Sequence, residues 1–264
     1  MKPVASAISF HTDARWSGAS PLFPPEAEHQ LHAAAAYAGE KHYITARVAS
    51  ADKSVHAARG PLWHKKDRLR GIIPKNLHHV DREATWGYSP YHHWVQGYSQ
   101  HTIVNATPGE ARFPLDCTAS TANMAENRVL VTRLHYLPPS LSKLLLDGTY
   151  DDEEVFCACR TAKLLPLVHM ERPPRHAAPI RKWAWRVRSR KVNRRLYKLR
   201  RCTIEPTFGN GKLSFENHRV WFYGLRRNHT HLVLTHYARA VAMLVNFKTK
   251  HSPENVQELF DSWQ

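Results

Sequence analysis

The chain has 264 residues, 42% of them hydrophobic, which is enough to bury a core and excludes wholesale disorder. Its 38 Lys and Arg against 22 Asp and Glu leave a formal charge of +16, so the expected partner is polyanionic, with nucleic acid ahead of an anionic membrane. Four cysteines (Cys117, Cys157, Cys159, Cys202) without a CxxC pair exclude a disulfide scaffold and fit a reducing cytosol.

Residues 1–24 mix Ser, Gly and Pro without periodicity and read as an extended arm. Pro25 to Ala38 is alanine-rich, with Pro at its start and Gly39 just past its end, the punctuation of a helix. Tyr43 to Ala51 alternates with β-branched content and predicts a strand running straight into Asp52. Trp63 to Tyr91 is polar, histidine-rich and broken by Gly71, Pro74, Gly87 and Pro90, the composition of a long loop. Val95–Ala106 and Arg112–Ser120 are predicted strands, and Pro108-Gly109 between them predicts an antiparallel hairpin.

Asn123 to Leu134 reads as a helix with Thr121 as its cap. Lys143 to Leu146 is a short apolar strand ending at Asp147. Asp151 to Lys163 is a helix whose acidic first turn suits the positive end of the helix dipole, and Leu164 to Met170 is a further buried strand. Arg172 to Arg201 holds 13 Lys and Arg in 30 residues with no acid, a surface suited to a duplex backbone. Trp183 and Trp185 within it, two residues apart, read as one face of a strand. A long helix is expected from near Val192 through Tyr197, Arg201, Glu205 and Phe208. Thr230 to Phe247 has apolar residues near helical spacing. Its apolar stretch, 232–247, is 16 residues interrupted by His236 and Arg239, short of the roughly 20 that span a bilayer, and predicts a buried helix. No signal peptide is visible in Met1 to Ala19, so the expected setting is cytoplasmic, with no membrane. Strands first as a hairpin, then strand, helix, strand, helix, predict an α/β fold with a mixed sheet flanked by helices on both faces, in the order of an RNase H-like core.

Three acids stand out among the 22. Asp52 and Asp147 each follow a predicted strand, and carboxyl ends of strands are where open α/β sheets build sites. If the two strands are neighbours, about 4.8 Å apart, their carboxylates can share one cation. Glu205 is the lone acid between Glu171 and Glu216, set in Arg-Arg-Cys-Thr-Ile-Glu, where composition alone equally supports a plain ion-pair partner.

The blocks Ala51-Asp52-Lys53-Ser54, Trp63-His64-Lys65-Lys66-Asp67, Asp147-Gly148-Thr149-Tyr150-Asp151 and Tyr197…Arg201…Glu205…Lys212, taken in order, resemble the DDE transposases of bacterial insertion sequences. The resemblance covers roughly Tyr43 to Phe247. It implies that Asp52, Asp147 and Glu205 are the catalytic metal ligands, holding two Mg²⁺ (or Mn²⁺) ions, with Asp52 bridging both. Metal-activated water would cut a strand and the resulting 3′-hydroxyl would attack target DNA. It also implies DNA contacts from Tyr197, Arg201, Lys212, His64, Lys65 and Lys66. The partner would be double-stranded DNA at transposon ends and target, met by a homodimer on the nucleoid. Thr149 stands where the family has Gly, and Tyr197 precedes Arg201 by four residues, one more than the usual spacing.

The domain expectation is an arm and helix over 1–42, an RNase H-like catalytic domain over 43–250 and a tail over 251–264. Only 51 residues precede Asp52, which reads as a truncated amino-terminal recognition region. The alternatives are an inactive DNA-binding remnant of a transposase and an RNase H-like nuclease that cuts without joining. A basic RNA-binding protein would not need the ordered acidic blocks. His64, His78, His79, His92 and His93 match no zinc spacing.

Overall fold

The structure, a computed structural model, describes residues 25–89, 93–214 and 219–256, without the side chains of 25 and 210–214. The amino-terminal arm, His92 and most of the tail therefore lie outside the described residues. Helix α1 (Pro25–Glu40) comes first, then strand β1 (Val48–Ala57), the short helix α2 (Lys65–Leu69) and strands β2 (Thr85–Ser89), β3 (His93–Asn105) and β4 (Pro114–Thr121). Helix α3 (Glu126–Arg133), strand β5 (Lys143–Leu146), helix α4 (Glu153–Thr161) and strand β6 (Leu165–Val168) follow. The chain then becomes helical: α5 (Pro179–Ser189), α6 (Lys191–Tyr197), α7 (Leu199–Ser214) and α8 (Leu225–Thr249).

The six strands form one mixed sheet in the order β2-β3-β1-β5-β6, with β4 paired to β3. β1, β3 and β4 are antiparallel neighbours, whereas β5 runs parallel to β1 and β6 parallel to β5. The two parallel strands are apolar on both sides, as burial on both faces demands: Leu144, Leu145 and Leu146 are all fully buried. Each such side chain contributes about 1.5–3 kcal/mol of burial free energy.

Alternation along these strands divides the core. Ala49, Ala51, Leu144, Leu146 and Val168 join the main cluster with α1, α3, α4 and α8, while Val48, Leu145 and Leu167 meet Val187 of α5, Leu196 and Tyr197 of α6 and Leu199 of α7. Helices thus cover both faces, as the α/β RNase H-like reading expects. Leu31, Ala34, Ala35 and Ala38 recur at helical spacing on the buried side of α1, and their small volume lets it lie close to β4 and α8.

Several sequence expectations need correction. The strand predicted over 43–51 begins only at Val48, because the Glu110 carboxylate takes the backbone N–H groups of Thr45 and Ala46 that a neighbouring strand would otherwise use. It also runs on past Asp52 to Ala57, since β3 keeps pairing with it as far as Ala57↔Gly97. The 63–91 loop contains α2 and β2; Gly87 breaks the β2 pattern, yet a Cβ there would strike the backbone of Ala122. Thr121 lies in β4 and does not cap α3, whose cap position is Ala125. Trp183 and Trp185 lie on helix α5, not on a strand. The long helix expected from Val192 is two helices, parted at Lys198.

Candidate active site

Two adjacent parallel strands bring the first two acids together. Val48, Ala49 and Ser50 of β1 face Lys143, Leu144 and Leu145 of β5 in register. Asp52 lies two residues beyond Ser50, and Asp147 two beyond Leu145, so the carboxylates emerge level with each other. Continuing the period of two puts both on the side of Val48 and Leu145, the face that α5, α6 and α7 cover. Glu126, the first residue of α3, completes a group in which one carboxylate oxygen from each of Asp52, Glu126 and Asp147 lies within 4.8 Å of the others.

Each acid is held by its own surroundings. The Lys53 amide donates to Asp52 Oδ1 at 2.8 Å, and the Thr149 amide donates to Asp147 Oδ1 at 2.9 Å, with the Thr149 hydroxyl donating to the same oxygen. Thr149, the departure from the family block, therefore steadies the carboxylate it follows. Lys53 Nζ stands 3.6 Å from Glu126 Oε1. From the first turns of α7, Arg200 Nη2 reaches Asp52 Oδ2 at 2.6 Å and Asp147 Oδ2 at 3.6 Å. A guanidinium thus sits between the two strand-borne carboxylates.

The electrostatics fit a cation site. Burial pushes the Asp52 carboxyl up to about 7; Arg200 and the Lys53 amide pull against it, while Asp147 and Glu126 add to the rise. Burial likewise raises Glu126, with Lys53 opposing. Packing acids this closely costs free energy that a cation offsets. The donors are all carboxylate oxygens, the set that hard divalent ions such as Mg²⁺ or Mn²⁺ take.

Glu205 stands elsewhere. It is exposed on α7 and does not join the Asp52, Glu126, Asp147 group, although the same helix delivers Arg200. Arg201 is exposed and, with Lys198 and His169, lines a cavity of about 430 Å³ that borders Asp147. Lys212 lies in α7 with its side chain outside the described residues. Tyr197 ends α6, where its hydroxyl donates to the Leu146 carbonyl at 3.1 Å and its ring lies under Arg188, 4.4 Å away. His64 precedes α2, and Lys65 and Lys66 open it; all three are exposed.

Sequence reasoning passed over Glu126, Arg200 and Lys53. Glu126 fell inside the helix expected over 123–134, and Arg200 read as one cation in a basic run. Only Lys53, inside the first acidic block, had a positional signal.

No curated protein and no solved structure matches the chain. The family model for the transposase DDE domain matches residues 45–241, a span that contains the whole sheet, the acidic cluster and the basic helices. Among the described residues no helix is long and apolar enough to cross a membrane. The chain belongs to the DDE transposase family, whose members bind DNA and cut and join its strands with divalent metal ions, and it is a transposase of that kind.

Proposed function

We propose that this transposase acts on double-stranded DNA at the ends of its insertion sequence with two Mg²⁺ or Mn²⁺ ions, Asp52 and Asp147 being the two fixed ligands. The observation that carries the reading is the pairing of these carboxylates on adjacent parallel strands with a guanidinium already between them. Divalent ions bound there supply the Lewis acidity that activates water and then a 3′-hydroxyl. Asp52 and Asp147, the latter oriented by Thr149, would hold those ions. Arg200, once displaced from the carboxylates, would meet the scissile phosphate.

Glu205 is the third carboxylate in this reading, brought in from α7 as the family resemblance implies. Glu126 is the second reading for that role, favoured by its oxygen lying within 4.8 Å of the other two. Tyr197, Arg201, Lys212, His64, Lys65 and Lys66 are assigned to DNA contacts or to holding the elements that make them. The catalytic domain is taken as 43–250, preceded by a 1–42 region and followed by a 251–264 tail. Two copies act together on two DNA ends in the cytoplasm, at the nucleoid.

The test is cleavage and strand transfer on a duplex bearing the element ends, in Mg²⁺. Asp147→Asn is expected to lose both reactions while still binding the duplex; cleavage by that variant at the wild-type rate would overturn the assignment. Glu205→Gln and Glu126→Gln, assayed side by side, decide the third ligand.

A further inference from the structure

Beside the carboxylates lies a groove of about 520 Å³, of which the cleavage reading draws on Lys65 alone. Lys53 and Ala125, neighbours of Asp52 and Glu126, form its near end. Its far end is the β2–β3 ladder, where Tyr88 and Trp94 are register partners. Both rings are unusually open for their size, 53% and 56% exposed, and meet edge to face with centroids 5.7 Å apart. Lys65 Nζ stands 4.4 Å from the centre of the Trp94 ring, and Arg68 lines the same wall. Among the described residues its lining contains three cations and no acid.

An exposed aromatic pair would serve equally as a protein-docking patch if the groove were apolar. Cations along one wall instead match a phosphate chain, and ring faces match bases that are free of their partners. Paired bases present edges in the grooves of a duplex, and their faces are already stacked, so a ring platform discriminates for unpaired ones. Trp94 is eight residues along β3 from Thr102, the register partner of Asp52, a path of at most about 26 Å. That reach corresponds to a flank of several nucleotides, not to the nucleotide being cut.

We propose that this groove binds an unpaired single-stranded flank of the DNA adjoining the cleaved phosphate, its bases stacked on Trp94 and Tyr88 and its phosphates met by Lys53, Lys65 and Arg68. The inference rests on the transposase reading of the carboxylate site and adds the form of DNA that the site accepts. It commits to nucleic acid; a second copy of the chain on the aromatic patch is the competing occupant.

The test measures binding of the full chain to two duplexes in low-salt buffer, one fully paired and one with a four-nucleotide unpaired flank carrying a fluorescent adenine analogue. The wild-type protein is expected to quench the analogue and to bind the flanked duplex more tightly. Trp94→Ala should lose roughly tenfold or more of that affinity and most of the quenching, while leaving the fully paired duplex within about twofold. Trp94→Phe, which keeps a ring, should restore most of both. Equal binding of both duplexes by wild type and Trp94→Ala overturns the groove proposal alone. A shift of Trp94→Ala from dimer to monomer, with unchanged affinity for the flank, overturns it in favour of self-association. Failure of the wild-type chain to bind either duplex would sink the DNA reading of the site as well.

Discussion

Arg200 and Asp52 form a 2.6 Å ion pair across 148 residues of chain, with side chains only 13% and 19% exposed. It joins the first turns of α7 to the middle of β1, so the helix is seated by the carboxylate proposed above as a metal ligand. A buried charge stripped of its partner is costly, about 3 kcal/mol, near the low end of such losses here because Asp52 can take up a proton. Arg200→Ala should therefore lower the thermal midpoint of the metal-free protein. It should also enlarge the stabilisation that Mg²⁺ gives, since the ion no longer competes with a guanidinium. A smaller Mg²⁺ shift in the variant than in wild type would contradict this account.

Removing one of the proposed ligands should separate binding from chemistry. Asp52→Asn is expected to bind duplex DNA as wild type does, because the phosphate contacts come from elsewhere, and to abolish strand cleavage in Mg²⁺. Gel-shift and nicking assays on the same preparation measure the two. Parallel loss of both would show that Asp52 holds the fold and not an ion.

On α5 and α6 and just after them, Arg186, Arg190, Lys191, Arg194, Arg195 and Lys198 are exposed. If all six meet phosphates, log affinity against log salt should fall with a slope of about −5. Arg194→Gln should flatten that slope by about 0.9 and weaken binding to all sequences alike. Binding titrations between low and moderate salt settle the matter, and a slope near −1 would remove these helices from the interface.

Acid should unfold the protein in two stages. His101 and His236 are buried, and burial holds both imidazoles down to about 3, whereas an unfolded histidine titrates near 6.5. The unfolded chain therefore binds more protons below about 6.5, and stability falls as pH drops, by up to about 1.4 kcal/mol per unit for each histidine. Asp116, buried against Arg133 (2.7 Å) and His32 (2.7 Å), is also held below its ordinary value, and acts at lower pH. Burial alone would raise its carboxyl, but the hydrogen bonds and charge of Arg133 and His32 outweigh that and hold it at about 2. Its contribution is complete above about pH 4 and is lost as pH falls through 2. Denaturant melts between pH 7 and 3 should steepen below 4. Asp52, raised to about 7 by burial, takes up its proton in the folded state first and offsets part of this loss between 7 and 4, so the histidine account is read in Asp52→Asn, where a flat profile between 7 and 5 would contradict it.

Gly97 is where β3 leaves β2 and joins β1, pairing with both Thr85 and Ala57. A Cβ there would overlap the His56 carbonyl group, a backbone atom that cannot swing aside. Gly97→Ala should cost about 2–3 kcal/mol, seen as a lower denaturant midpoint at unchanged slope.

How much of this was legible in the residues varies by element, for physical reasons. β5 and the register of Asp147 could be read because Lys-Leu-Leu-Leu is short, apolar and ended by an acid. The end of β1 could not, since whether a strand continues depends on a partner, and β3 lies forty residues further on. The basic run hid Arg200: thirteen cations look alike until the fold decides which one faces a carboxylate. Glu126 was masked for the opposite reason, because an acid at the start of a helix already has a local explanation. The spacing that singled out Glu205 is a property of α7 alone, and helical spacing carries no information on how that helix is rotated against the sheet.

The hydroxyl of Tyr197, bonded to the carbonyl of Leu146, fastens the last turn of the basic helices to the residue immediately before Asp147. Any shift of those helices against the sheet is therefore carried to the backbone from which the Asp147 carboxylate springs.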